Sequence, residues 1–215
     1  MSVPKGKRRQ SRFEAQHHYY RLRDEVTLLM LQDFGFSREK YQETIEFYRR
    51  SHQAAENPDE VVARYEKKAE AFNKWFIDKE CDAVLEMLRT IECEFTQANS
   101  IYPSDTPAKL LEFVTRRRHM NNAIAECYVL KQEINYIIRT LPVDKNKFKR
   151  FGEAIDRQIA LYKGVRQSDN RFLRKNVKNN TLVNVKNNTL VRETASVINA
   201  IEVLLDKIEQ TEISE

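Results

Sequence analysis

Residues 106–141 read TPAKLLEFVTRRRHMNNAIAECYVLKQEINYIIRTL and run straight into Pro142, the longest uninterrupted stretch of helical periodicity in the chain. Thr106 can cap free amides, and Pro107 occupies the first helical position, where its missing N–H costs nothing and its fixed φ already suits the turn. Apolar residues then return every three or four positions, through Leu110, Phe113, Val114, Met120, Ile124, Cys127, Tyr128, Leu130, Ile134, Ile137, Ile138 and Leu141. Such a stripe marks one face of an amphipathic helix. At 1.5 Å per residue the rod is roughly 50 Å long, far too much apolar edge to leave in water. The fold is therefore expected to form around this rod.

Upstream, Asn57-Pro58-Asp59-Glu60 combines a capping Asn, a first-turn Pro and two acids opposed to the positive helix end. The helix it starts is expected to reach about Gln97, either continuous or broken near the apolar knot Trp75-Phe76-Ile77. A short link from Ser100 to Thr106 then makes two antiparallel neighbours. Nearer the start, Ser11 and Glu14 form a capping box, and Phe13, Tyr20, Leu22, Val26, Leu29 and Met30 suit a first helix to about Asp33. Gly35 ends it, and Ser37 caps a second helix to about His52 with Tyr41, Ile45 and Tyr48 on one side.

Downstream, Asp144 can cap a basic amphipathic helix carrying Phe148, Phe151, Ile155, Ile159 and Tyr162. Gly164 is expected to end it, with an irregular link beginning at Ser168-Asp169-Asn170. The octad NVKNNTLV at 176–183 repeats at 184–191. Two copies are too few for a solenoid, so the pair reads as a duplication in a tolerant linker or as a two-stranded hairpin. From Arg192 to Gln210, a heptad-like stripe of Val197, Ile198, Ile201, Leu204, Leu205 and Ile208 suits docking on the bundle or on another copy, the second of which would make a homo-oligomer. The expectation is all-α: an antiparallel helical bundle of about five to six helices with a long central helix. Its parts are a basic arm at 1–10, the bundle at 11–174, an Asn-rich linker at 175–191 and a C-terminal helix at 192–215.

The scarcity of 4 Gly, 5 Pro and 1 Trp in 215 residues argues against many-turned β folds and glycine-rich phosphate loops. No apolar run approaches the roughly 20 residues a membrane helix needs, and the start is charged, so neither a span nor a signal peptide is expected and the location is taken as cytoplasmic. Cys81, Cys93 and Cys127 are odd in number and lie in apolar-periodic helix, and are expected to be buried free thiols.

The formal net charge is +5, but its placement is more informative. Lys5, Lys7, Arg8, Arg9 and Arg12 stand at the start without an acid. Residues 142–175 hold ten basic residues, among them Lys145, Lys149, Arg150, Arg157 and Lys163, against four acids. Segregated positive charge fits a surface for RNA or single-stranded DNA; the plainer alternative is a set of solvated helix faces. Arg116-Arg117-Arg118-His119 covers a full turn of the central helix, so at least one guanidinium must face the packed side. Arg117 is expected there, either pairing with Glu94 or Glu86 or lining a groove for phosphates. Tyr136 and Arg139 add the aromatic and basic mix that single strands favour.

Catalytic motifs are weak. Glu14 and His17 form one Glu-x-x-His unit without the second that helical di-iron sites require, and the ladder Asp78, Asp82, Glu86 reads as a solvated face. Arg12 with His17 or His18 matches the loose spacing of HEPN-type ribonucleases, but at the start of a first helix rather than in a late one. No catalytic residue, metal or cofactor is nominated, and no enzymatic activity is expected.

The opening Val3-Pro4-Lys5-Gly6-Lys7-Arg8, with Ser11, Phe13 and Glu14, resembles the start of accessory variability determinants, small helical proteins encoded beside the reverse transcriptases of diversity-generating retroelements. The runs Lys74 to Asp78, Asn99 to Pro103 and Leu130 to Asp144 look like an uncharacterised bacterial family sharing that opening, over roughly residues 1–174. The first resemblance implies a basic, oligomeric, non-catalytic bundle that contacts a reverse transcriptase and holds template RNA or cDNA. Only Lys5, Lys7 and Arg8 carry over from it.

Overall fold

A computed structural model describes residues 12–101 and 108–184. Five α-helices follow in order: α1 (Arg12–Leu31), α2 (Arg38–Ser51), α3 (Pro58–Ser100), α4 (Ala108–Thr140) and α5 (Lys149–Asn184). The chain divides into two compact units, residues 1–166 and 167–215. No strand occurs among the described residues; an isolated bridge joins Phe36 to Val143. The expected all-α antiparallel bundle is what forms. The N-terminal arm, the capping Ser11, the link at 102–107 and the helix at 192–215 lie outside the described residues.

The first unit is an up-down-up-down arrangement of α1, α3, α4 and α5, and side-chain pairs fix each direction. His119 and Glu94 meet near one end of the α3–α4 pair, and Tyr136 and Phe76 meet near the other, so these helices are antiparallel. Lys131 reaches Asp156 and Arg166 reaches Asn121, which makes α5 antiparallel to α4. His18 meets Gln158, while the chain just after α1 pairs with the chain just before α5, where the Ser37 amide donates to the Pro142 carbonyl at 2.9 Å.

The core is one continuous cluster at heptad spacing. α4 contributes Met120, Ala123, Cys127, Leu130, Ile134 and Ile137, and α3 contributes Phe76, Val84, Leu88, Ile91, Phe95 and Ala98. Each fully buried aliphatic side chain contributes about 1.5–3 kcal/mol, so this seam outweighs any single polar contact. α1 presents Ala15, Tyr19, Leu22, Val26 and Leu29 to it, with the Tyr19 hydroxyl donating to the Leu88 carbonyl. This differs from the expected α1 stripe: Phe13 and Tyr20 are exposed, because that hydrogen bond turns Tyr19 inward. α2 packs separately on the first half of α3, through Tyr41, Ile45 and Val62.

Local signals explain most boundaries. Ser37 caps α2 by accepting from the Lys40 amide, and Asp144 accepts from the Asn146 amide at 3.1 Å, opening a short 3-10 turn before α5. Between α1 and α2, Asp33, Phe34 and Gly35 all adopt positive φ. Only Gly35 does so without steric cost, and the strain at Phe34 is offset by its complete burial. α3 is continuous through Trp75-Phe76-Ile77. Gly164 does not end α5, which runs on to Asn184 and includes the first octad copy. The physical reason is tertiary: Leu161, Tyr162 and Val165 carry the buried stripe past the glycine, whose cost is only about 1 kcal/mol. All three cysteines are free. Cys127 is buried, and burial pushes its thiol up to about 12; Cys81 is half-buried, and Cys93, expected inside, is exposed.

Two buried polar residues answer to pH. Burial first, and then the hydrogen bond and charge of Glu133, push the Glu80 carboxyl up to about 7. Burial lowers the pKa of His18, although its Nδ1 lies 2.7 Å from Gln158 Oε1. Because Glu80 binds its proton more tightly folded than unfolded, its contribution is full below pH 4.5 and is lost as pH rises through about 7. Glu80→Gln stays neutral and loses nothing over that range. Thermal melts across it should therefore show the variant gaining stability relative to the native chain as pH rises; a constant difference would remove the carboxyl from this account.

Candidate nucleic-acid interface

Among the residues expected to meet phosphates, Lys5, Lys7, Arg8 and Arg9 lie outside the described residues, and Arg12 opens α1. Arg116, not Arg117, faces the packed side, and it is completely buried. It stands at a heptad core position of α4, one step in the series Phe113, Arg116, Met120. Its Nη1 donates to the carbonyls of Ala98 and, at 3.1 Å, Ile101, at the C-terminus of α3. A guanidinium there satisfies carbonyls the helix leaves open and complements the negative end of its dipole. Arg116 is thus a structural cap with no surface left for a phosphate. Glu94, expected to pair with Arg117, instead lies 2.7 Å from His119 Nδ1. Arg117 is half-buried and Arg118 exposed.

On α5, Lys149, Arg150 and Arg157 are exposed, as is Lys145 just before it. Lys149 lies 3.9 Å from Glu153, and the Arg150 guanidinium sits 4.6 Å over the Phe151 ring. Lys163 lies 5.6 Å from the centre of the Tyr128 ring. Asp156, the other acid on this face, is engaged by Lys131 at 2.7 Å.

These cations do not converge on a single patch. α1 and α4 begin at the same end of the bundle, which gathers Arg12, Arg117 and Arg118; α5 begins at the other, with Lys145, Lys149 and Arg150. From Arg118 to the end of α4 the axis runs about 33 Å, which is the separation of the two groups. Lys163 and Arg157 lie between. What the structure does bring together is the corner where α4 gives way to α5: Arg139, Lys145, Lys147, Lys149 and Arg150, all exposed.

Next to that corner lies a set of residues the sequence reading did not assemble. Phe72 and Trp75 of α3 are 45% and 54% exposed, their ring centres 5.9 Å apart. Phe72 stacks on buried Phe76 at 5.6 Å, and Phe76 meets Tyr136 of α4 edge-on at 5.5 Å. Beside these rings a groove of about 540 Å³ is lined by Tyr41, Tyr65, Lys68, Phe72, Arg139 and Pro142, among others; no carboxylate lines it among the described residues. An adjoining groove of about 440 Å³ mixes Asp33, Glu70 and Asp78 with Arg38 and Lys74. The sequence signal for the first was the i, i+4 pair of Lys68 and Phe72, masked by the stronger apolar reading of Trp75-Phe76-Ile77.

His18 is buried against Gln158, away from any surface phosphate. Among the described residues no three His, Cys, Asp or Glu side chains are grouped to hold a metal ion, and no helix is long and apolar enough to cross a membrane. Comparison with protein-family models, with curated proteins and with solved structures finds no match.

The assignment of Arg116 makes a test. Charge-assisted hydrogen bonds contribute about 1.5–3 kcal/mol, so Arg116→Ala should lower the unfolding free energy in urea by about 3 kcal/mol. Arg118→Ala should change it by less than about 0.5 kcal/mol. Equal effects would mean that Arg116 does not cap α3.

Proposed function

We propose that this chain is a non-enzymatic nucleic-acid-binding accessory protein of a bacterial retroelement or other mobile element, acting in the cytoplasm on RNA or single-stranded DNA beside a reverse transcriptase. The observation that carries the binding part is the corner between α4 and α5. Arg139, Lys145, Lys147, Lys149 and Arg150 are exposed within a dozen residues of folded-back chain. The acid among them, Asp144, is turned to its own backbone as a cap. Exposed cations at that density, of which Lys149 lies 3.9 Å from Glu153, attract a polyanion and release its counterions. The N-terminal arm adds Lys5, Lys7, Arg8 and Arg9. The reverse-transcriptase link rests on the resemblance of the opening residues alone, and co-purification of the two proteins tests it.

A second reading has its own observation. Phe47 of α2 is 67% exposed and Trp75 is also in solvent, and such rings are enriched where proteins bind proteins. A bundle that binds only an acidic protein would give pull-downs unaffected by nuclease treatment.

Filter binding of a labelled single strand at increasing salt separates the readings. With about five phosphates engaged, log K against log salt should slope by about −3.5. The triple variant Lys145→Ala, Lys149→Ala, Arg150→Ala should flatten that slope by about 2. No retention at low salt would reject nucleic-acid binding.

A further inference from the structure

We infer that the carboxylate-free groove between α2, α3 and the end of α4 is a base-stacking site for single-stranded nucleic acid, with Phe72 receiving a base and Lys68 and Arg139 holding the flanking phosphates. This rests on the nucleic-acid reading above and says which strand form is bound and where.

Three observations favour this occupant. The ring that would receive a base is braced from behind: Phe72 lies on Phe76, which is buried and held edge-on by Tyr136. A braced ring loses little freedom when a base stacks on it, and every base offers a π face, so the contact is indifferent to sequence. The cations stand where a backbone would pass. Lys68 is one helical turn before Phe72 on α3, and Arg139 approaches from α4, its Nε donating to the Asn135 carbonyl at 3.3 Å. The lining includes two cations and no acid, complementary to a phosphodiester and repelled by nothing in it. The groove is also continuous with the corner through Arg139 and Pro142, so a strand leaving it would meet Lys145 and Lys149 next.

The mixed groove alongside, with Asp33, Glu70 and Asp78, bounds the track on the other side. A duplex is a poor occupant, because its bases are already stacked and present only their edges. An apolar peptide helix would cover the rings but leave Lys68 and Arg139 without counter-charge.

The lone tryptophan supplies a local reporter, since Trp75 packs against Phe72. The full chain is titrated with an end-labelled 12-mer of thymidine nucleotides, with an abasic 12-mer of equal phosphate count, and with a duplex of the same length. Binding is followed by anisotropy and by Trp75 emission. The expected result is quenching of Trp75 by the 12-mer, with affinity about tenfold or more weaker for the abasic strand, the duplex and Phe72→Ala. Arg139→Gln, at an exposed position, provides a second variant should Phe72→Ala disturb folding, and is expected to weaken binding several-fold. If both variants bind as the native chain does, or if abasic and duplex probes bind equally well, the stacking site is wrong while nucleic-acid binding stands. If no probe binds at low salt, both fall together.

Discussion

The α3–α4 seam is the constraint on which the other elements depend. Two helices of about twelve turns and nine turns, written with apolar residues at three and four residue intervals, have no way to shield those stripes except against each other. Phe76, Leu88, Ile91 and Phe95 on one side and Met120, Cys127, Leu130 and Ile137 on the other become inaccessible together. α1 and α5 then close the two open flanks of that pair, α1 through Tyr19 and Leu22, and α5 through Ile155 and Tyr162, whose ring stacks on Phe95 at 4.6 Å.

Within this apolar frame each of α3, α4 and α5 also buries polar side chains. Glu80, Arg116 and Gln158 are all buried, and each meets a partner from another segment of the chain. Glu80 meets Glu133, Arg116 meets the last carbonyls of α3, and Gln158 bonds His18 and, through its amide nitrogen at 3.1 Å, the Ala15 carbonyl. A heptad stripe alone tolerates a slide of seven residues, whereas these contacts exist in a single register. Polar core residues of this kind trade some stability for a defined alignment.

That alignment also distributes charge. By holding α4 as one continuous separator, the bundle places the arginine run and the Lys145 to Arg150 group at opposite ends, and it converts one of the arginines into part of the core. The exposed cations that do become neighbours, Arg139 and the Lys145 to Arg150 group, owe their proximity to the sharp return at Leu141-Pro142-Val143, which the Phe36 bridge and the Ser37 amide pin to the chain after α1. Aromatic rings from α3 complete the surface there.

Much of this was legible in the residues themselves. Helix existence, the caps at Ser37 and Asp144, the antiparallel α3–α4 pair and the buried set on α5 follow from neighbours within a turn or two, because hydrogen-bond closure and side-chain periodicity act over that range. Where the reading went astray, distance along the chain was the cause. Gly164 carries the local mark of a stop, yet α5 continues because its far side is packed; Arg117 looked inward by position, yet Arg116 found the carbonyls. Sequence by itself determined that the chain is helical and which face of α5 turns inward, while on α1 and α4 the stripe it offered included Phe13, Tyr20, Val114 and Tyr128, which are exposed. Only tertiary structure decided which cations and rings share a surface, because Phe72 and Arg139 are brought together by packing between helices and by no pattern either carries.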